Sequence, residues 1–143
     1  MLIPHEKQKE IIRSIARFKV IRAGRKGGKT ALEVESISYK AVVKAENLNL
    51  TKTIFPTGRK IIYIAPTQKQ AREIVWASFK NRLNGLAKFN EQRLEIQISN
   101  ADNEITTIMI GGWESRENYR GLTDVIHITF DELDTLRDFF INW

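Results

Sequence analysis

The octapeptide AGRKGGKT at 23–30 constrains the fold of this chain more than any other segment. Its glycines let backbone N–H groups converge on a phosphate, while Lys29 and Thr30 supply a charge for the outer phosphates and a hydroxyl for Mg²⁺. An apolar strand is predicted before it at 18–23, and a helix with buried Val34 and Ile37 is predicted after it. This order predicts a phosphate-binding loop, although Ala23 stands where the full pattern has glycine; the alternative is a glycine turn with a chance lysine. The candidate phosphate-binding residues are Gly24, Arg25, Lys26, Gly27, Gly28, Lys29 and Thr30.

Two adjacent carboxylates form the second candidate site. The apolar, β-branched segment Val125–Phe130 predicts a buried strand, and it runs directly into Asp131 and Glu132. Ligands of open α/β sheets bind outside the carboxyl ends of the strands. Asp131 is placed to hold Mg²⁺ and Glu132 to orient an attacking water. The alternative is an acidic helix start favoured by the helix dipole, but the loop upstream favours the site.

Composition narrows the class of protein. With 143 residues, the chain is at most one domain. The absence of cysteine excludes disulfides and thiolate metal sites and fits an intracellular setting. No apolar run has membrane-spanning length, and the net charge of +6 favours an anionic partner such as nucleic acid. His5 and His127 have no metal-ligand spacing, and His127 is interpreted as a packing or surface residue.

Helical and strand patterns alternate along the chain. A helix is predicted at 5–16, and the continuous apolar run at 60–65 predicts a strand covered on both faces. Thr67 and Gln70 form a capping box for a helix that ends near residue 84, and 47–59 is predicted to be a polar surface loop or insertion.

Alternation at 93–99, turn residues at 100–103 and a second apolar segment at 105–110 predict a β-hairpin. Together these elements predict an α/β fold: three layers, with a mainly parallel sheet plus a β-hairpin.

Four segments carry a resemblance to a known family. They are PHEKQ at 4–8, RAGRKGGKT at 22–30, IAPTQKQA at 64–71, and SRENYRG at 115–121, which leads into the Asp131–Glu132 pair. In this order they resemble the N-terminal ATPase domain of the large terminase subunit, the motor that packages double-stranded DNA into viral capsids. The resemblance covers essentially the whole chain and implies a P-loop NTPase that uses ATP and Mg²⁺.

The resemblance implies roles for matching positions. Gln8 would read the adenine edge, unless it is an ordinary exposed glutamine at a helix start. The loop residues would bind the phosphates of ATP, Thr30 and Asp131 would bind Mg²⁺, and Glu132 would polarise the attacking water. Arg25 would stabilise transition-state charge within its own subunit; its alternative is a solvated cation.

Arg120 has two interpretations. It is either a finger that reaches the nucleotide of a neighbouring subunit, which is worth orders of magnitude in rate, or a partner in a local salt bridge. Trp113 and Tyr119 could stack on bases, but a double-stranded track offers mostly phosphates, which favours packing for both rings. Salt-sensitive phosphate contacts, or simply a charged surface, are predicted for a basic set: Lys52, Arg59, Lys69, Arg72, Lys80 and Arg82.

The implied partners are double-stranded DNA, other copies of the chain in a ring, and, by resemblance, a small terminase subunit and a portal protein, with no membrane. The implied location is the cytoplasm of an infected bacterial cell.

The chain departs from the family pattern after Glu132, because it continues for only eleven residues. The coupling motif, further strands and nuclease domain of terminases are not among them. We therefore expect 1–143 to be the N-terminal part of a P-loop ATPase domain, incomplete at its C-terminus and weak or inactive as an isolated ATPase. The resemblance implies that the parent chain is also an endonuclease. The alternatives are a helicase-type nucleic-acid translocase and a catalytically inactive P-loop assembly module.

Overall fold

The computed structural model describes residues 29–50, 52 and 54–131. The predicted helix at 5–16, the strand at 18–23 and most of the loop at 23–30 lie outside these residues. Two helices pack against five strands: α1 (Lys29–Val42), β1 (Arg59–Ala65), α2, β2 (Ala87–Asn90), β3 (Glu95–Ser99), β4 (Ile105–Gly112) and β5 (Val125–Phe130). Helix α2 is continuous but changes pitch, from α (Gln68–Ala71) to π (Arg72–Trp76) and back to α (Ala77–Arg82). Two 3-10 helices span Ala45–Leu48 and Trp113–Tyr119.

The five strands form one mixed sheet in the order β2-β3-β4-β1-β5. Strand β1 pairs in parallel with β4 and β5, while β3 is antiparallel to both β2 and β4. Of the five described strands, β3 alone therefore runs against the others. The predicted α/β fold, with a mainly parallel sheet and a hairpin at β3–β4, is confirmed.

The interior position of β1, between β4 and β5, explains its composition. Ile61, Tyr63 and Ala65 join the cluster formed with the helices, while Ile62 and Ile64 are buried on the opposite side of β1. A strand covered on both faces needs apolar residues at every position, which is why 60–65 shows no alternation. Both described helices pack on the face of Ile61, as shown by the buried residues that they contribute to one core: Val34, Ile37, Ala41, Ala71, Val75, Trp76 and Phe79.

Helix α1 is anchored at its carboxyl end. The carbonyls at 40–43, the last three of the helix and the one that follows it, all accept hydrogen bonds from outside the helix. The Arg59 guanidinium donates to the first and the fourth at 3.5 and 2.6 Å, the Thr106 hydroxyl to the second at 2.7 Å, and the Ala101 N–H to the third at 2.8 Å. These are the acceptors that a helix end leaves unsatisfied. Because Arg59 begins β1 and Thr106 lies near the start of β4, α1 runs antiparallel to both strands.

Arg59 corrects one of the sequence interpretations. It was assigned to a polar loop and to phosphate contacts, but its side chain is completely buried and pairs with Asp102 at 2.5 Å. The reason is local: Arg59 is the first residue of β1, and its side chain points to the end of α1 rather than to solvent. Arg59 is therefore a structural cation.

Helix α2 begins as its sequence predicts. The Thr67 hydroxyl accepts from the Gln70 N–H at 3.1 Å, which caps the helix. Strand β2 was not predicted; Phe89 at its centre meets Trp76 of the π-helical turn edge-to-face at 6.0 Å between ring centroids. The Trp76 indole N–H also donates to Glu91, just beyond β2. Strand β2, at the edge of the sheet, is thus attached to the π-helical turn of α2 by these two contacts.

Candidate active site

The carboxyl ends of β1, β4 and β5 lie at one edge of the sheet, because these strands are parallel. The segments that follow them there are the turn at 66–68, the 3-10 helix Trp113–Tyr119, and Asp131. We call this the carboxyl edge. In open α/β sheets it is the edge that binds ligands.

The amino end of α1 reaches the same edge. Lys40 Nζ contacts His127 Nδ1 at 3.1 Å, near the opposite end of β5. Four residues of strand from His127 to Asp131 span about 13 Å, and the ten residues of helix from Lys40 back to Thr30 span about 15 Å. Since α1 is antiparallel to the strands, Thr30 and Asp131 lie at a similar level along the sheet.

Asp131 is held firmly at the carboxyl edge. It is 6% exposed, and its N–H donates to the Ile64 carbonyl at 2.9 Å, which extends the pairing with β1 by one residue beyond β5. Its Oδ2 accepts a hydrogen bond of 2.6 Å from the hydroxyl of Tyr63. Successive residues of β1 therefore hold the backbone and the carboxylate of Asp131.

Lys29 and Thr30 are the first two residues of α1, and Thr30 is half-buried. The first turn of this helix contains no acidic residue, so nothing in that turn offsets the positive end of the helix dipole. The N–H groups at such a helix start suit a phosphate. The other predicted site residues lie outside the described part of the chain: Gln8, Gly24, Arg25, Lys26, Gly27, Gly28 and Glu132.

The donor set at this edge fits magnesium. Mg²⁺ prefers oxygen ligands and is usually bound by one or two carboxylates together with phosphate oxygens and water. Asp131 offers a carboxylate and Thr30 a hydroxyl. Within the described residues, no three His, Cys, Asp or Glu side chains come together to form a metal cluster. A single carboxylate therefore suits a cation that shares its coordination with a bound nucleotide.

Arg120 lies on the surface just after the second 3-10 helix. Its Nε pairs with Glu117 at 3.1 Å, and both side chains are more than half exposed. Such pairs contribute little to stability, so Arg120 can leave Glu117 at small cost. Arg116 is engaged differently, because its guanidinium stacks over Trp113 at 4.6 Å and donates to the Trp113 carbonyl at 3.2 Å.

Gly112 lets the end of β4 approach the turn at 66–68. A Cβ at this position would lie 2.3 Å from the backbone nitrogen of Gln68. That N–H donates to the Glu114 carboxylate at 2.7 Å, so a residue of the 3-10 helix completes the cap of α2. Sequence reasoning missed both Glu114 and Tyr63, because their partners lie far away along the chain.

Tyr119 packs over Gly111, where a Cβ would lie 2.0 Å from its hydroxyl oxygen. Burial raises the pKa of Tyr119, and the negative charge of Glu95 raises this pKa further. A cavity of about 340 Å³ separates the 3-10 helix from β3 and β4, with Tyr119, Glu95 and Gln68 in its lining. The ring therefore belongs to the packing of this edge.

A larger cavity, about 450 Å³, lies at the opposite edge of the sheet, and Lys44, Asp102 and Glu104 line it. Asp102 binds Arg59 and the Ala45 N–H, and Glu104 accepts from the Phe55 N–H. The lining of this larger cavity contains none of the predicted site residues. The carboxyl edge is therefore the stronger candidate site, despite the smaller cavity.

The fold and this edge define an α/β domain of the kind that binds ligands at the ends of parallel strands. Two solved structures have a similar fold. The ATPase domain of the Thermus phage P74-26 large terminase is 21% identical, with a TM-score of 0.68 over 93% of this chain and 55% of that chain. The large terminase of the thermophilic bacteriophage D6E is 18% identical, with a TM-score of 0.61 over 83% of this chain and 28% of that one. The fold is thus that of phage large terminase ATPase domains.

The chain spans about half or less of the length of these two proteins. No protein-family model matches the chain, and no curated protein is significantly similar to it. Among the described residues, no helix has the length and apolar character needed to cross a membrane.

Proposed function

We propose that this chain is the nucleotide-binding part of a terminase-like ATPase that drives the packaging of double-stranded viral DNA. The observation that carries the proposal is Asp131, a buried and hydrogen-bonded carboxylate at the carboxyl edge of the sheet. The likeness of the fold to two phage large terminases supports the same conclusion.

Each candidate residue has a role in this proposal. Residues 24–30 bind the phosphates of ATP, with Lys29 as the principal charge, and Gln8 contacts the adenine. Thr30 and Asp131 hold Mg²⁺, which neutralises charge on the phosphates when it is bound. Glu132 orients the water.

Two arginines are assigned to the transition state. Arg25 acts within its own subunit. Arg120 acts on the nucleotide of a neighbouring copy in a ring, for which it must leave Glu117. Because charge stabilisation accounts for most of the catalysis of phosphoryl transfer, hydrolysis in this arrangement depends on assembly.

The partners in this proposal are double-stranded DNA, further copies of the chain, a small terminase subunit and a portal protein. The place of action is the cytoplasm of an infected bacterial cell.

Calorimetric titration with Mg-ATP tests the proposal on the wild-type protein and on Lys29→Ala. We expect binding by the wild type and loss of binding in the variant, because the lysine supplies the phosphate charge. Lys88→Ala is the matched control: it removes an exposed lysine from β2, and its affinity should equal that of the wild type. A folded wild-type protein that binds no nucleotide would contradict the proposal and indicate a binding or assembly module.

A second assay separates packaging from the helicase alternative. Hydrolysis stimulated by double-stranded DNA without separation of its strands supports the terminase assignment. ATP-dependent strand separation would instead assign the protein to the helicase class.

A further inference from the structure

Tyr63 carries a hydroxyl into the interior strand β1, where its side chain is fully buried. Its neighbours on the same face of β1, Ile61 and Ala65, are apolar. Phenylalanine would fill nearly the same volume without a polar atom, and a buried hydroxyl is costly unless it is hydrogen-bonded. The hydroxyl of Tyr63 therefore has a specific partner.

That partner is the Oδ2 atom of Asp131, at 2.6 Å. This distance falls within the range of strong hydrogen bonds to an ionised carboxylate. The Asp131 backbone is already held by the Ile64 carbonyl, so the additional bond fixes the rotation of the carboxylate. A carboxylate held in one orientation can present its oxygens to a ligand in a defined geometry.

We propose that Tyr63 is the positioning residue that orients Asp131 toward the divalent cation. The inference rests on the proposed function, in which Asp131 is a magnesium ligand. Groups that hydrogen-bond to metal ligands orient them, and their loss typically lowers metal affinity or activity by about 10- to 100-fold.

The test is a comparison of Tyr63→Phe with the wild type by ATP titration at a series of Mg²⁺ concentrations and again in EDTA. We expect the Mg²⁺ concentration that gives half-maximal ATP binding to rise about tenfold, with no change of ATP affinity in EDTA. Tyr39→Phe is the matched control, since it removes a hydroxyl from a partly exposed tyrosine on α1; it should leave both quantities unchanged.

A double-mutant cycle with Asp131→Asn shows whether Tyr63 acts through Asp131. In the Asp131→Asn background, Tyr63→Phe should have no further effect on the Mg²⁺ requirement. A tenfold effect that persists there would overturn the inference. So would an equal loss of ATP affinity with and without Mg²⁺, because it would reveal a merely structural role.

The proposed role of Asp131 as a magnesium ligand and the proposed role of Tyr63 can be contradicted by different results. If wild-type ATP binding is insensitive to Mg²⁺, the proposed role of Asp131 is wrong and the inference is overturned with it. If the wild type requires Mg²⁺ and Tyr63→Phe requires no more, only the inference is overturned.

Discussion

Asp102 is the counter-ion of the buried Arg59 cation. Replacing it with alanine leaves the Arg59 guanidinium without its counter-ion and the Ala45 N–H without its acceptor. Breaking a buried pair typically costs 3–5 kcal/mol, and since the Asp102 side chain is 26% exposed, we expect Asp102→Ala to lower the free energy of unfolding by about 2–3 kcal/mol. Urea denaturation measures this change.

Lys80→Ala is the control for that experiment. It breaks the pair between Lys80 and Glu91, in which both side chains are about half exposed. Such pairs contribute about 0–1 kcal/mol. Equal effects of the two substitutions would show that the Arg59–Asp102 pair does not anchor α1.

Asp124 makes the free energy of unfolding depend on pH in the acidic range. A hydrogen bond from Lys52, assisted by one from Thr57, holds the pKa of its carboxyl below the ordinary value of 3.8. Because the folded-state pKa is lowered, its contribution is fully present above pH 3.8 and is lost as the pH falls through the lowered value. We expect Asp124→Asn to flatten the acid side of the stability curve, which urea unfolding at a series of pH values measures. An unchanged acid dependence would contradict this prediction.

At the scale of elements, the contact between β4 and the start of α2 depends on the absence of one side chain. Gly112 has an extended backbone (φ −107°) that alanine can adopt, so the whole cost of Gly112→Ala comes from collision with the backbone of Thr67 and Gln68. Overpacking typically costs about 1–3 kcal/mol, and we expect the upper part of that range, because backbone cannot rotate away. Chemical denaturation gives the value.

Gly85→Ala provides the comparison. Gly85 has open space around it but a φ of +77°, so alanine there suffers only backbone strain of about 1 kcal/mol. If Gly112→Ala costs less than Gly85→Ala, the end of β4 and the turn at 66–68 are not in close contact in solution.

Helices and strands with a local sequence pattern were predictable, whereas contacts between residues that lie far apart along the chain were not. Alternation at 94–98 predicted the hairpin, and the Thr67 cap predicted the start of α2. Strand β2 is only four residues long and half-buried, and its stabilising contact with Trp76 has no local pattern. The position of Asp131 at the end of a strand was predictable. The bonds that Tyr63 and Glu114 make were not, because they join residues 68 and 46 positions apart.

At the scale of the whole molecule, the distribution of paired charges predicts where the DNA of the proposed function would bind. Four of the six residues in the basic set form ion pairs: Lys52 with Asp124, Arg59 with Asp102, Lys80 with Glu91, and Arg82 with Glu35. Lys69 and Arg72, in the first turns of α2 beside the carboxyl edge, are exposed and form no ion pair with any other residue that the structure describes.

We expect the double substitution of Lys69 and Arg72 by alanine to weaken binding of double-stranded DNA. Each lost phosphate contact reduces the slope of log K against log salt by about 0.9, so the slope should fall by about 2. Titrations at several salt concentrations measure it, with Lys88→Ala as the control. An unchanged slope would place the DNA elsewhere.

The four capped carbonyls at the end of α1 have a mechanical consequence. They fix the position of the helix end remote from Lys29 and Thr30, so this end can serve as a pivot. A helix of 14 residues is about 21 Å long, and moving its start by 1 Å requires a tilt of about 3°. Small displacements at the start of α1 therefore become rotations about a pivot formed by Arg59, Thr106 and the hairpin turn.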